Sequence, residues 1–521
     1  MKPLLRDLRW ILPASLVLSL VLSLLSPGKW WIGWLAYAII LTPGMMALTA
    51  LWRSTGTHRT LGIILILTVI LRLGLGVVFS FILPPYGNDN DVQNSGYIFR
   101  DSYTRDSTAW DLARSSNSLW MAFDRTLSND QYGGMLFLSG MLYRFLSPES
   151  HRPWLVILVG ALIAGLGVIL AWKGAQKAWG ESVAWGTAWI MALYPESILM
   201  GSSQMREPFL ITFVVMVFWG VVNWAQNWRT SAVWMAIGFI GMMVFNPIIA
   251  VAAIIIITVW IWIREKGRRT ILWWWIAGGV AVALLAAFIF IGAIGNSLPY
   301  NIGPFGNLMY WLHNSASWDA YLMELHSGWL QNVFDSLPTS LHLPFIIGYG
   351  ITQPVLPAAI ADPAVWPMRA LGILRGLGWY ALLPFLVYSL RSILQISEKR
   401  DRFAWIWLWL ASWAWIIISA ARAGGDQWDN PRYRVILILF QAALAAQALT
   451  WQRATHDRLL GRFLAVEGVF LAFFGYWYAS RYTNWNIGHV HIFVIIALIV
   501  IISIGILAGG WLADRWRIRR A

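Results

Sequence analysis

The sequence predicts an all-α polytopic membrane protein with about fourteen transmembrane helices. Three observations predict it. Apolar runs of about 18 residues or more recur along the whole chain. Of its 521 residues, 59% are hydrophobic and 12% charged, and the mean hydropathy of +0.61 lies outside the range of soluble domains. Lysine and arginine, finally, sit mostly in short turns between the apolar runs, where charge-directed membrane orientation puts them. A formal net charge of +14 could otherwise suggest nucleic acid. Membrane topology accounts for those charges, so no nucleic-acid partner is expected. The absence of cysteine excludes disulfides, thiol catalysis and thiolate metal sites. The 37 tryptophans suit anchoring at the lipid interfaces, with some buried among helices.

In chain order the expected spans are 10–26, 30–52, 60–83, 154–172, 182–202, 207–225, 231–245, 247–263, 271–294, 371–392, 403–421, 433–451, 463–480 and 490–512. The apolar run after "MKPLLRDLR" resembles a signal-peptide core. It lacks a convincing small-residue cleavage site and a second span follows at once, so it reads as a retained anchor. The stretch 231–263 can also be divided differently around "FNP".

Basic residues crowd the N-terminus, "WRSTGTHR" (52–59), "WKGAQK" (172–177), "REKGRR" (264–269), "EKRDR" (398–402), "QRATHDR" (452–458) and "RWRIRR" near the end. With fourteen spans all of these fall on one side, which puts both termini in the cytoplasm and the long loops 84–153 and 295–370 outside. Residues 84–134 carry seven aspartates against four arginines, and 295–370 four acids against one arginine. "YGGMLFLSGMLYRFL" (132–146) would be only about 22 Å long as a helix, too short for a bilayer core of about 30 Å. It reads as a re-entrant or juxtamembrane helix on the outer face. No soluble domain, low-complexity linker or clear internal repeat appears, and the lack of inverted repeats counts against common transporter folds.

Charge concentrates at the outer boundary. "YIFRDSYTRDSTAWDLARSS" (97–116) holds three aspartates and three arginines just after a span. Its spacing suits an amphipathic helix lying on the interface, with Asp101 and Arg105 on one face and Asp106 next in line. The plain alternative is a solvated connector with surface ion pairs worth a few tenths of a kcal/mol. "YPESILMGSSQMREPFLI" sets Glu196, Arg206 and Glu207 in a short turn between two spans. Ionisable groups at that depth line a path or a site. Alternatively, Glu207 and Pro208 simply open a helix. "ARAGGDQWDNPRYRVILIL" brings Asp426, Asp429, Arg432 and Arg434 to the start of the twelfth span. Arginines outside run against the positive-inside tendency, which leaves two readings: an anion site, or pairing of Asp429 with Arg432. "WLHNSASWDAYLMELHSGWL" (311–330) could cover a cavity or lie on the interface.

No Walker motif, HExxH or partnered GxSxG set is visible. Chemistry on the outer face has no ATP, so its energy must travel with the substrate. A sugar on a polyprenyl phosphate meets that need: lipid takes the tail, arginines the phosphate, and an aspartate the proton of an attacking hydroxyl.

The segments "RDSYTRDSTAWDLA", "DQYGGMLFLSGMLYRFL", "ALYPESILMGSSQMREPFLITF" and "DNPRYRVILIL" together resemble the multi-spanning glycosyltransferases of the C superfamily. That group includes protein O-mannosyltransferases and lipid A aminoarabinose transferases. The resemblance covers roughly 60–450. It implies an N-terminal two-helix extension (1–59), a catalytic core (60–451) and a divergent two-helix end (452–521). The family's first outer loop carries Asp-Glu-x-x-Tyr-x-x-x-Ala, and "DSYTRDSTA" fits that frame from Asp101 to Ala109. Ser102 stands in place of the second acid and Arg105 in place of the tyrosine. Asp101 is thereby implied as general base, with Asp106 taking over the missing acid. "QYGGML" is similar to the family's "YPPL"-like element without its prolines, and "RYR" to the basic opening of a late helix near the donor phosphate.

The resemblance implies an inverting transfer from a polyprenyl-phosphate sugar to a hydroxyl on a lipid, glycan or protein acceptor. Arg105, Arg206, Glu207, Arg432 and Arg434 would serve the donor, and Tyr132, Asp426 and Asp429 would position substrate. No metal ligands are assigned and no cofactor is required; dependence on a divalent metal stays open, because superfamily members differ. The setting expected is a prokaryotic plasma membrane. The rival is a flippase or other transporter of lipid-linked saccharide, and a third reading is a non-catalytic scaffold. A transporter should carry ionisable residues at midspan, and Glu467 is one of very few.

Overall fold

A computed structural model describes residues 2–124, 132–265, 303, 306, 336–424, 426–482 and 487–518. It is all-helical, with no strand among the described residues. Lipid offers no partner to a backbone N–H or C=O, so each segment must satisfy its own, which a helix does. Eleven helices among the described residues are long and apolar enough to cross a membrane.

The chain divides into two compact units. The first runs to Thr258 and includes Val435–Ala442. It holds α1 (Lys2–Leu25), α2 (Trp30–Arg53), α3 (Arg59–Tyr86), α4 (Asp91–Asn94), α5 (Arg100–Arg114), α6 (Gly134–Leu146), α7 (Trp154–Trp179), α8 (Glu181–Leu193), α9 (Pro195–Gly201), α10 (Glu207–Asn223), α11 (Trp228–Phe245) and most of α12 (Pro247–Arg264). Its central element is α7, 78% of whose apolar window is buried. Small residues let neighbours approach, as association without a hydrophobic drive requires. A Cβ on Gly167 would lie 2.6 Å from Thr212 Oγ1, and that hydroxyl donates across the helices to the Ile163 carbonyl at 3.0 Å. Asn246 and Pro247 divide α11 from α12 at "FNP", which fixes the boundary the sequence left open.

Of the fourteen expected spans, 271–294 lies outside the described residues. The span 207–225 is α10, an apolar helix of 17 residues. The span 182–202 is not continuous. It breaks at Tyr194, whose extended backbone precedes Pro195. Pro195 has no N–H for the carbonyl of Met191, four residues back. The guanidinium of Arg72, fully buried halfway along α3, supplies the missing donors: Nη2 to Met191 O and Nη1 to Ala192 O, both at 3.1 Å. Nη2 also reaches Ser197 Oγ (2.8 Å) and Nη1 the Thr68 carbonyl in its own helix (3.1 Å).

The second unit contains α13 (Thr339–Thr352), α14 (Leu356–Ala361), α15 (Trp366–Leu394), α16 (Lys399–Ala423), α17 (Asp429–Arg434), the latter part of α18 (Ile438–Thr455), α19 (Leu459–Tyr482) and α20 (Ile492–Ile518). Here too a proline follows a helix end. Pro354 has no N–H to offer the end of α13, and beside the backbone bond from Gln353 N–H to Gly350 O (3.2 Å) four side chains donate to the carbonyls of residues 350–353. Asn430 Nδ2 donates to Gly350 O (2.7 Å), Trp379 Nε1 to Ile351 O (2.8 Å), Tyr380 Oη to Thr352 O (3.0 Å) and Arg434 Nη2 to Gln353 O (2.9 Å).

Replacing Arg72 strips both helix-break carbonyls of their donors in a dry interior. Arg72→Met is therefore expected to destabilise the folded chain by about 3 kcal/mol. The check is the thermal midpoint of the purified protein in detergent; an unchanged midpoint would refute the capping role.

Candidate functional site

The acidic stretch of the first long loop forms α5, and its residues separate by burial. Asp101 lies in the first turn and is exposed, while Ser102, Arg105, Asp106, Ala109 and Leu112 form the buried stripe. An acid in a first turn faces the positive end of the helix dipole. The far end is closed by Arg144 of α6, which donates to the carbonyls of Leu112 (2.5 Å), Ala113 (3.1 Å) and Ser115 (3.1 Å).

Asp106 is the best-connected group of the loop. The Tyr97 hydroxyl donates to its Oδ2 and the Tyr143 hydroxyl to its Oδ1, each at 2.6 Å. His151 Nε2 lies 2.8 Å from Oδ2; since a carboxylate only accepts, this nitrogen carries the proton. The His151 ring stacks on Trp110 at 5.2 Å and meets Tyr143 edge-on at 4.9 Å. Arg152 holds that turn in place through Ser147 Oγ (2.6 Å), the Lys29 carbonyl (3.0 Å) and Glu149 (3.3 Å). Burial, and then the Asp106 charge, push both phenols well above the ordinary tyrosine range. Asp106 thus ties α5 to the turn before it, to α6 and to the turn before α7.

Arg105, beside Asp106, goes elsewhere. Its Nη1 is 3.4 Å from the Gln204 carbonyl, a long contact with the turn between α9 and α10. That turn is polar and wholly buried, from Glu196 and Ser197 through Ser202, Ser203 and Gln204 to Arg206 and Glu207. Glu207 and Pro208 open α10, and the Arg206 guanidinium lies 5.2 Å above the Tyr132 ring. Four expected donor or positioning residues, Arg105, Arg206, Glu207 and Tyr132, therefore gather around one buried turn. The "GG" that stands where the resemblance leads one to look for prolines has its own reason here. Gly133 adopts φ +77°, where a Cβ would run into the Ala122 carbonyl, and a Cβ on Gly134 would meet the Val244 carbonyl at 2.5 Å.

The other expected residues belong to the second unit. Asp426 Oδ1 accepts from the backbone N–H of Trp428 (2.7 Å) and Asp429 (3.0 Å), and so starts α17. Asp429 pairs with Arg432 at 3.1 Å and accepts from the Tyr433 hydroxyl at 3.3 Å. Arg434 lies 3.3 Å over the Trp379 ring while serving the Gln353 carbonyl. Among the described residues no three metal-ligating side chains come together. Residues 311–330 lie outside the described residues.

Sequence reasoning missed Tyr97, Tyr143, His151 and Arg72. Tyr97 sat inside the quoted stretch, but nothing in the spacing tied Tyr143 or His151 to it. A lone arginine halfway along an apolar span was the one signal available for Arg72.

Fold and side chains together define a multi-pass helical membrane protein with a polar, buried turn beside an acidic amphipathic helix. The chain matches no family model and no curated protein.

Two predictions follow from the Asp106 cluster. Asp106→Asn places an amide donor against three existing donors and should cost about 2–3 kcal/mol, whereas Asp101→Asn should cost under about 1 kcal/mol. Thermal midpoints of both variants check this, and equal shifts would remove Asp106 as a tie. The raised tyrosines add an alkaline signature. Their contribution is full below the ordinary value of about 10 and is lost as pH rises above it. The midpoint should fall above pH about 10, and less steeply in Tyr97→Phe/Tyr143→Phe. An identical slope would count against the cluster.

Proposed function

We propose that this protein is a membrane glycosyltransferase that moves a sugar from a polyprenyl-phosphate donor to an acceptor hydroxyl. The reaction would run on the face away from the basic turns. One observation carries the reading: α5 leaves Asp101 accessible in its first turn while Arg105, one turn on, lies against the buried turn that holds Arg206 and Glu207. A solvent-accessible carboxylate within one helical turn of a buried guanidinium is the pairing that transfer from a phosphate to a hydroxyl uses.

In this mechanism Asp101 takes the proton of the acceptor hydroxyl as that oxygen attacks the anomeric carbon. The bond from that carbon to the phosphate oxygen breaks, and polyprenyl phosphate leaves. Arg206 and Arg105 meet the charge that grows on the departing phosphate, and Glu207 and Tyr132 keep Arg206 in place. Asp106, with both oxygens engaged, positions α5 rather than taking a proton.

One feature favours the rival reading, a carrier of lipid-linked saccharide. Glu467 lies well inside the α19 span, and its Oε1 is buried with no hydrogen-bond donor among the described residues. Intramembrane carboxylates mark translocation paths.

The two readings separate on a synthetic polyprenyl-phosphate sugar supplied with membrane extract as acceptor. Wild type should retain the lipid and release polyprenyl phosphate, and Asp101→Asn should retain it with release reduced by about 100-fold or more. Arg206→Ala should weaken retention more than it slows release. Undiminished release by Asp101→Asn would remove it as the base. Retention without release by wild type, together with Glu467-dependent lipid movement in liposomes, would establish the carrier.

A further inference from the structure

The last two turns of α7 carry Lys173 and Lys177, one helical turn apart and on one face. Both ammoniums lie over the same indole, that of Trp219 in α10, at 4.9 and 5.9 Å from the ring centre. Each is held by a neutral oxygen. Lys173 Nζ donates to Ser54 Oγ at the end of α2 (2.9 Å), and Lys177 Nζ to Asn223 Oδ1 at the end of α10 (3.0 Å). Asn223 is itself buried and oriented, its Nδ2 donating to Ser231 Oγ of α11 at 3.3 Å. The ends of three helices and the start of a fourth thus converge on two cations.

What is missing is a counter-charge. Neither ammonium has a carboxylate within 4 Å among the described residues. The nearest acid along the chain, Glu181, accepts from Trp185 Nε1 instead. Lys177 complements the dipole of the α7 C-terminus, which is reason enough for one lysine. It is no reason for Lys173, which is a full turn further in, half-buried, and within the apolar span. An ammonium there loses hydration, and an aromatic face with one hydroxyl does not replace it. Each Nζ has three N–H donors and spends one on its oxygen, so four remain, on centres about 6 Å apart along the helix. That spacing suits the oxygens of one phosphate held between them.

We infer that Lys173 and Lys177 form a binding site for the phosphate of an anionic phospholipid, in the leaflet that borders the basic turns. A lipid is the source the setting favours over a free anion. The pair sits at the end of a membrane span, where the half-buried Trp179 and Trp185 also fall, and indoles collect where headgroups lie. The site is separate from the α5 cluster and does not depend on the transferase reading.

Native mass spectrometry of the full-length protein in detergent tests it, with phosphatidylglycerol, phosphatidylcholine and inorganic phosphate as probes. Wild type should retain one phosphatidylglycerol in preference to phosphatidylcholine. Lys173→Ala/Lys177→Ala should weaken that retention about tenfold or more. Lys173→Arg/Lys177→Arg should restore it and exclude mere misfolding. Arg400→Ala/Arg402→Ala removes two charges from another basic turn and should leave it unchanged. Equal retention by wild type and the alanine pair overturns the site. So does equal loss in the Arg400/Arg402 control, which would mean bulk charge alone. Displacement of the lipid by millimolar inorganic phosphate would make the occupant a free anion and overturn the lipid assignment.

Discussion

The first unit depends on how the carbonyls at a broken helix are satisfied. An apolar helix crossing lipid can stop midway only if something else meets the carbonyls it abandons. Pro195 imposes the stop, and Arg72 reaches across from α3 to meet them. Without that guanidinium, α8 would face a dry interior with two bare oxygens, and α9 could not turn away. The turn that follows α9 owes its place to this junction, and so do Arg206 and Glu207. The same charge that would be costly in lipid becomes affordable because two backbone dipoles and a hydroxyl take the place of water.

The second unit meets the same constraint with different residues. Pro354 follows the end of α13, and Asn430, Trp379, Tyr380 and Arg434 donate in turn to the carbonyls of Gly350, Ile351, Thr352 and Gln353. In both units a proline stands at a helix end and a distant arginine donates to a carbonyl beside it. Intramembrane arginine therefore has two meanings, and geometry separates them. Donors aimed at helix-end carbonyls mark a structural cation. The guanidinium of Arg206, over Tyr132 beside a polar turn, is the one that the proposed mechanism assigns to the donor.

What the sequence made legible follows from what is local. Span positions could be read because apolar runs and the prolines and glycines between them are contiguous signals. The boundary at Asn246 and Pro247 and the short helix at 134–146 both appear where the pattern put them. The break inside 182–202 was hidden because the run stays apolar through Tyr194, and a single proline in an apolar run can either kink or end a helix. The residues around Asp106 were hidden for a different reason. Tyr97, Tyr143 and His151 are scattered over 55 positions, and only tertiary packing brings them to one carboxylate.

That convergence sets Asp106 apart from Asp101, two of the three aspartates of α5. A general base must offer a lone pair to a proton that is not yet bound to it. Asp106 receives two phenols and an imidazole, and burial keeps those phenols protonated. Its lone pairs are committed to holding three segments in register. Asp101 lies in the first turn of the helix, with solvent access and a helix dipole that favours its charge. One helix thus presents a buried anion that sets its position and an exposed anion that the proposed mechanism uses as its base. In the proposed mechanism Asp106 acts only through Asp101, since a helix free to roll about its axis would move Asp101 by several ångströms relative to Arg105's partner turn.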